Sequence, residues 1–276
     1  MNQLSVKAYE LRQHVLDIIV SGGGGHIGGD MSSMEIMLTL YSRMHISPDH
    51  ADDPDRDRFV LSKGHCVETL YAVLADRGFM DLEEVKAKFS RFGSEYIGHP
   101  HNTLPGIEMN SGSLGHGLSV CVGMALAGRM DQRPYRVYTL MGDGELAEGS
   151  VWEGAMAAGH YHLDNLCAVV DFNGLQISGP TKQVMSHERL SEQFAAFDWH
   201  VISVQDGNDV TQLQHAFDEA EQTKGMPSLI IAHTVKGKGA SIMENKASWH
   251  HHLPTHEEYL EISRELKERK EALMHE

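Results

Sequence analysis

Residues 139–153 read TLMGDGELAEGSVWE, and the fold is decided there. The stretch closes an apolar, β-branched run, RVYTLM (136–141), turns on Gly-Asp-Gly, and opens a helix near Glu148. Three further runs have the same character: NLCAVVDF (165–172), WHVISV (199–204) and SLIIAHT (228–234). FVLS (59–62) is a shorter strand candidate that ends in KGH. Helical patterns separate the runs, at 148–162, around 186–196 and at 209–223. Strands alternating with helices predict βαβ units and a parallel sheet, an α/β architecture.

Working outward, residues 3–20 place Leu4, Leu11, Val15 and Ile18 on one helical face. SGGGGHIGGD (21–30) follows, and so dense a glycine run predicts neither helix nor strand interior. Helical pattern resumes from Met31 to Met44, and again at 66–77 and 81–92, with a polar, Asp-rich loop at 50–58. Residues 93–117, GSEYIGHPHNTLPGIEMNSGSLGHG, have no period. A loop of that length in a compact chain is usually functional. Residues 118–130 read as an apolar, Gly/Ala-rich buried helix, and 256–273 as a charged terminal one. No Pro/Ser-rich linker and no repeat divides the chain, so residues 1–276 are expected to form one domain.

Lys and Arg number 23 against 39 Asp and Glu, a formal net charge of −16, with no block of five basic residues. Such a chain repels nucleic acid and anionic membrane surfaces. No run of about 18 apolar residues is present, and the N-terminus lacks the apolar core of a signal peptide. Cys66, Cys121 and Cys167 are odd in number and far apart, which fits a reducing compartment and a cytoplasmic location. The compositional oddity is 19 histidines spread along the chain.

The chemistry begins at the Gly-Asp-Gly turn. In an open parallel sheet, ligands bind at the carboxyl ends of strands. Glycines let the backbone approach an anion, and N–H groups at a helix start suit phosphate. Asp143 adds a hard oxygen ligand suited to Mg²⁺ or Ca²⁺. Without that context, an Asp here is more often a helix N-cap. About thirty residues on, DFNGLQISG (171–179) ends the next strand and supplies the Asn173 side-chain carbonyl and main-chain oxygens. Two neighbouring strand ends could therefore hold one cation against a diphosphate.

Gly-Asp-Gly, about thirty residues, then Asn resembles the fingerprint of thiamine diphosphate enzymes. Four segments narrow the resemblance to the transketolases: SGGGGHIGG (21–29), LSKGHCVETLYAVLADRG (61–78), GHPHNTLPGIEMNSGSLGHGLSVCVGMALA (98–127) and TVKGKGASIMENKASWHHH (234–252). It covers essentially the whole chain. It implies the thiamine diphosphate-binding fold in its diphosphate-binding form, a doubly wound, mostly parallel sheet with helices on both faces. A complete transketolase is about twice as long, so the chain is expected to be the N-terminal subunit of a split enzyme. The implied partner is a separate C-terminal subunit with the pyrimidine-binding domain, in a heterotetramer with two of each. The family's activating glutamate sits on that partner domain, so this chain alone is expected to bind cofactor weakly and to catalyse nothing.

The resemblance carries roles onto particular residues. Asp143, Asn173 and the main-chain carbonyl of Leu175 match the metal ligands, with Mg²⁺ as the ion and Ca²⁺ or Mn²⁺ as substitutes. His26, His65, His99 and His250 match histidines lining the substrate funnel above the thiazolium, where imidazoles donate to sugar oxygens and shuttle protons. His65 also matches a diphosphate contact, and Gly142, Gly144 and Glu145 lie at the diphosphate–metal centre. Gly112 and Leu114 match positions packed on the cofactor ring, and Ile177 an apolar wedge that holds it bent. Glu148 and Glu153 match acids in a network joining two active sites, and read equally well as first-turn helix acids. His14, His162, His187 and His275 are expected at the surface.

Departures from the family pattern are four glycines before His26, His116 where Gln is usual near the ring, and His250-His251-His252 in place of a single His-Gly. Either His250 or His251 then fills the funnel position. Three consecutive histidines share no face well and are not read as a metal site. The implied activity is transfer of a two-carbon ketol unit from a ketose, phosphorylated or related, to an aldose. A 2-oxo acid dehydrogenase alpha-type subunit shares GDG…N but not LSKGH or GHP…PGIE. A non-catalytic homologue would have lost Asp143, Asn173 or the histidines.

Overall fold

The computed structural model describes residues 3–275. In chain order, α1 (Gln3–Gly22) and α2 (Ile27–Tyr41) precede β1 (Arg58–Leu61). Next, α3 (Val67–Asp76), α4 (Leu82–Lys88) and α5 (His116–Met130) lead to β2 (Val137–Gly142). α6 (Gly149–His160) joins β2 to β3 (Leu166–Phe172). A small hairpin, β4 (Leu175–Gln176) and β5 (Gly179–Pro180), then α7 (Thr181–Val184) and α8 (Leu190–Ala195) follow. β6 (His200–Val204), α9 (Val210–Gln222), β7 (Ser228–His233) and α10 (His256–His275) complete the order.

The main sheet runs β1-β2-β3-β7-β6 with every pairing parallel. Its register explains why the strands read as apolar runs. Leu61, Leu140, Val169, Ile230 and Ile202 form one row across it, facing the core shared with α1, α2, α3 and α9. The next row, Val60, Thr139, Ala168, Leu229 and Val201, faces the opposite core under α5, α6 and α8. Strands buried on both faces lose the polar alternation of a half-exposed sheet. The chain winds outward from β1 to β3, passes to the edge at β6, and returns to β7. The winding therefore reverses between β3 and β7, which is where such sheets bind ligands. Among the described residues, no helix is long and apolar enough to cross a membrane.

Three expectations need correction. Much of the glycine run is helical: Ser21 and Gly22 end α1, and Ile27 to Asp30 open α2. Its glycines serve close approach. A Cβ on Gly28 would stand 2.6 Å from the Trp249 carbonyl oxygen, and one on Gly29 2.7 Å from Cys66 Sγ. α5 is buried along one side only, through Leu118, Cys121, Val122 and Ala125, while Met130 is 81% exposed. His187 is buried, its ring 6.3 Å from that of Trp152, and His14 is half-buried, whereas His162 and His275 are exposed.

α1 and α2 are joined by a fully buried charge pair. Both Arg12 Nη1 and Nη2 donate to the Glu35 carboxylate at 2.6 Å, Nη2 also reaches the Met31 carbonyl at 2.9 Å, and Asn208 Nδ2 donates to Glu35 at 2.8 Å. Arg12→Ala would strand Glu35 without its cation. Urea unfolding of the full chain is expected to show a loss of about 3–5 kcal/mol for Arg12→Ala, and most of it regained in the double variant Arg12→Met, Glu35→Leu.

Candidate active site

A cavity of about 410 Å³ opens at the carboxyl ends of β1, β2, β3 and β7. Lys63 and His65 enter it after β1, Gly142 to Glu145 after β2, Asn173, Leu175 and Ile177 after β3, and Lys236 and His250 after β7. The long loop before α5 supplies His99, Gly112 and Leu114, and the corner before α2 supplies His26. The four funnel histidines His26, His65, His99 and His250 and the residues expected to hold cofactor and metal are thus brought to one cavity. Gly112 has φ +139°, and a Cβ there would stand 2.6 Å from His99 Cδ2, so only glycine lets that imidazole lie against the chain. Ile177 stands at the rim, 75% exposed.

The floor is built on charge. Lys63, 1% exposed, pairs with Asp171 and donates to the Gly29 carbonyl at 3.2 Å. Asp171 also accepts from Ser32 Oγ at 2.6 Å, from Asn173 Nδ2 at 3.2 Å and from the Thr234 hydroxyl. Burial works to raise the Asp171 carboxyl, but Lys63 and the two hydroxyls outweigh it and hold the group below the ordinary aspartate range. Asp143 has the opposite fate. Burial and the neighbouring Asp171 push it up to about 6. It accepts from Gly144 N at 2.9 Å, Gly174 N at 2.7 Å and Thr181 Oγ1 at 3.3 Å, and has no ion-pair partner among the described residues.

Lys236 is the complementary excess. It is 2% exposed, donates to His250 Nδ1 at 3.1 Å, and has no carboxylate within ion-pair distance among the described residues. Burial and Lys63 push its ammonium below the ordinary lysine range. An uncompensated buried carboxylate and an uncompensated buried ammonium on one cavity fit a metal cation and an anion together. Asn173 is oriented for the first: its Nδ2 is committed to Asp171, while Oδ1 accepts from Leu175 N at 3.1 Å and keeps a second lone pair. The donor set therefore fits a divalent cation beside a diphosphate.

Glu145 has a different job from its neighbours. It is buried, accepts from the Ser62 hydroxyl, from Gly115 N at 2.8 Å and from Gly142 N at 3.0 Å, and so clasps the end of β1, the start of α5 and the Gly-Asp-Gly turn. Glu148 and Glu153 are exposed at the start and on the outer face of α6.

Above the floor the histidines form one cluster. The His26 ring lies 5.1 Å from His65, 6.3 Å from His99, 5.5 Å from His250 and 4.6 Å from His251. Burial, then His251, drives His26 down to about 4, and burial with Lys236 drives His250 down to about 3. Burial and Lys63 hold His65 well below the usual range, and burial lowers His99. These imidazoles are therefore neutral at pH 7, each with one donor and one acceptor. Of the two candidates, His250 lines the cavity, while His251 is exposed and packs on the His26 ring without lining it. His252 turns away to Trp249, at 4.4 Å, and to Glu258, at 2.9 Å. His116 is exposed and does not line the cavity, contrary to its expected place near the ring. Among the described residues no group of three His, Cys, Asp or Glu could hold a metal ion by itself.

Sequence reasoning missed Lys63, Lys236 and Asp171. Their signal was present as lysines inside the Gly/His segments KGH and VKGKG, and as the acid that opens DFNG.

Residues 2–267 match the transketolase thiamine diphosphate binding domain. The chain belongs to the transketolase family. It is an N-terminal, diphosphate-binding transketolase subunit, since the family's binding domain and relatives named as subunits match it over nearly its whole length. One is an apulose-4-phosphate transketolase subunit of Phocaeicola vulgatus, 47% identical over 98% of this chain and 96% of that protein. Another is a 6-deoxy-6-sulfo-D-fructose transketolase subunit of a Clostridium species, 42% identical over 92% of each. The transketolase structure from Campylobacter jejuni superposes with a TM-score of 0.90 at 30% identity, over 98% of this chain but 43% of that one. This chain thus spans less than half the length of that transketolase.

Nuclear magnetic resonance of the histidines tests the electrostatics directly. His26 is expected to take up a proton only near pH 4 and His250 only near pH 3, both remaining neutral through pH 7. A midpoint near 6.5 for either would contradict the burial of the cluster.

Proposed function

We propose that this chain is the diphosphate-binding subunit of a two-subunit transketolase that moves a two-carbon ketol unit from a ketose, phosphorylated or related, to an aldose. The observation that supports it most is the cavity in which Asp143 and Lys236, without ion-pair partners among the described residues, face a funnel of neutral imidazoles. In this reading Asp143, the Asn173 side-chain oxygen and the Leu175 carbonyl hold Mg²⁺, with Ca²⁺ or Mn²⁺ as substitutes. Lys236, His65 and the backbone of Gly142, Gly144 and Glu145 receive the diphosphate. Gly112, Leu114 and Ile177 pack the cofactor ring. When bound, thiamine diphosphate supplies the electron sink that carbon–carbon cleavage requires.

The chain's own residues supply binding and proton handling. A neutral imidazole can donate to a carbonyl or hydroxyl oxygen through one nitrogen and accept through the other. His26 and His250 stand together above the floor, so they are the residues proposed to hold and return a proton at the ketose or aldose oxygen. His99 and His65 line the same space and orient the sugar.

The relatives' designation as subunits supports a separate C-terminal partner with the pyrimidine-binding domain, and we propose two copies of each chain. Glu148 and Glu153, exposed on α6, would then face a second protomer. We take residues 1–276 as one domain, because both cores are built on one sheet. Three free, buried cysteines support a reducing, cytoplasmic setting.

The test mixes the purified chain with the product of its neighbouring gene, thiamine diphosphate and Mg²⁺. Donors are xylulose 5-phosphate, apulose 4-phosphate and 6-deoxy-6-sulfofructose, and ribose 5-phosphate is among the acceptors. Transfer is expected only in the mixture and is lost on Asp143→Ala. Cofactor binding without transfer would send the search to other ketoses. No cofactor binding by chain or mixture would sink the enzyme reading and favour a non-catalytic homologue.

A further inference from the structure

Two carboxyls meet in full burial behind the histidine cluster, Asp30 in the first turn of α2 and Glu68 in the first turn of α3. Asp30 Oδ1 accepts from Thr69 N at 2.8 Å, and the Asp30 carbonyl accepts from Thr69 Oγ1 at 3.0 Å. Among the described residues, Asp30 Oδ2 and both Glu68 oxygens complete no hydrogen bond, although the Glu68 and His26 main-chain N–H groups lie toward the Glu68 carboxyl. Carboxylates are acceptors only, so two that face each other without a donor repel and stay unsatisfied. A carboxyl that keeps its proton becomes the missing donor. One proton then satisfies the inner oxygens of both groups.

The surroundings offer no better remedy. Lys63, the cation felt by Asp30, is already paired with Asp171. Cys66 and Tyr71 on the α3 side are both pushed further toward their neutral forms by burial. His26 and His65 are neutral at pH 7, and α1 presents the apolar Ile19. Burial and Asp30 push Glu68 well up, while burial pushes Asp30 up to about 6, which places the proton on Glu68.

Glu68 also touches the backbone that presents His26. A Cβ on Gly25 would collide with Glu68 Oε1, and the carboxyl lies toward the His26 main-chain N–H without completing a hydrogen bond to it. His26 is the N-cap residue of α2, and its side chain makes no capping bond, which leaves the imidazole to the funnel. We propose that Asp30 and Glu68 share one proton, and that this carboxyl pair is a positioning element that fixes the Gly25–His26 corner against α3 and so aims the His26 imidazole. The role in catalysis rests on the funnel reading above; the shared proton does not.

Glu68→Gln imitates the protonated acid, and Glu68→Leu keeps bulk without a polar edge. The folded wild-type chain holds a proton that the unfolded chain releases above the ordinary glutamate range. Its stability should therefore fall relative to Glu68→Gln as pH rises from about 5 to about 8, by up to about tenfold in the folding equilibrium constant per pH unit. Parallel stability profiles would overturn the shared proton. So would the absence, in the wild-type chain at about pH 8, of the infrared carbonyl band of a protonated carboxyl, whatever the variants do. For positioning, the His26 imidazole resonances are expected to move in Glu68→Leu and to return in Glu68→Gln. Asp30→Asn is the second variant, because its amide takes over the donor's part and lets Glu68 ionise; His26 is expected to move there too. Unmoved His26 resonances in folded Glu68→Leu and Asp30→Asn would overturn the positioning role. A wild-type assembly without ketol transfer would overturn the proposed function and leave the proton and His26 measurements standing.

Discussion

Lys63 and Asp171 meet in the dry interior where β1 and β3 run out, and the site is organised around their contact. Each partner carries further bonds outward. Lys63 takes the carbonyl of Gly29 in α2, and Asp171 takes hydroxyls from Ser32 in α2 and Thr234 after β7, together with the Asn173 amide. One ion pair thus ties two strand ends, a helix and two loops into a common floor. Removing either charge would leave the other buried and alone, which is the costly way to lose such a pair.

That pair also sorts the remaining charges. Asp171 is kept ionised by Lys63, and together with burial it raises Asp143, which has no ion-pair partner among the described residues. Lys63 is kept charged by Asp171, and together with burial it lowers Lys236, which has no ion-pair partner among the described residues. Two unmet charges of opposite sign are held on one cavity by a third and fourth that satisfy each other. Glu145 is buried nearby, yet main-chain N–H groups and Ser62 satisfy it, so it binds the protein together instead of advertising for a ligand. Burial alone does not distinguish these acids; their partners do.

The sheet was legible in the sequence for a physical reason. Strands such as SLIIAHT face a core on both sides, so they carry no polar alternation and stand out from the helices around them. The Gly-Asp-Gly turn was legible because chemistry narrows what can follow a strand there. What escaped was long-range. Gly28 and Gly29 read as a loop, since nothing local says that Trp249 and Cys66 would press on a helix at that point. Lys63 and Lys236 went unread, since the burial of both, the pairing of Lys63 with Asp171 and the lack of an ion-pair partner for Lys236 among the described residues exist only after folding. His251 could not be separated from His250 because a backbone turn, not spacing, brings both beside His26. His187 lacked any signal of its packing on Trp152.

The burial of the His26 ring has a kinetic meaning. With a midpoint near 4, about one ring in a thousand carries a proton at pH 7. A proton that reaches His26 is therefore not stored there; it leaves again for whichever oxygen or ring accepts it next. His65 and His250 stand 5.1 and 5.5 Å from His26 and are held below the usual imidazole range as well, so none of the three is a reservoir. A reservoir would place a standing positive charge beside Lys236 and Lys63, in the place where an incoming anion has to settle its balance. Neutral rings leave that balance to the two lysines.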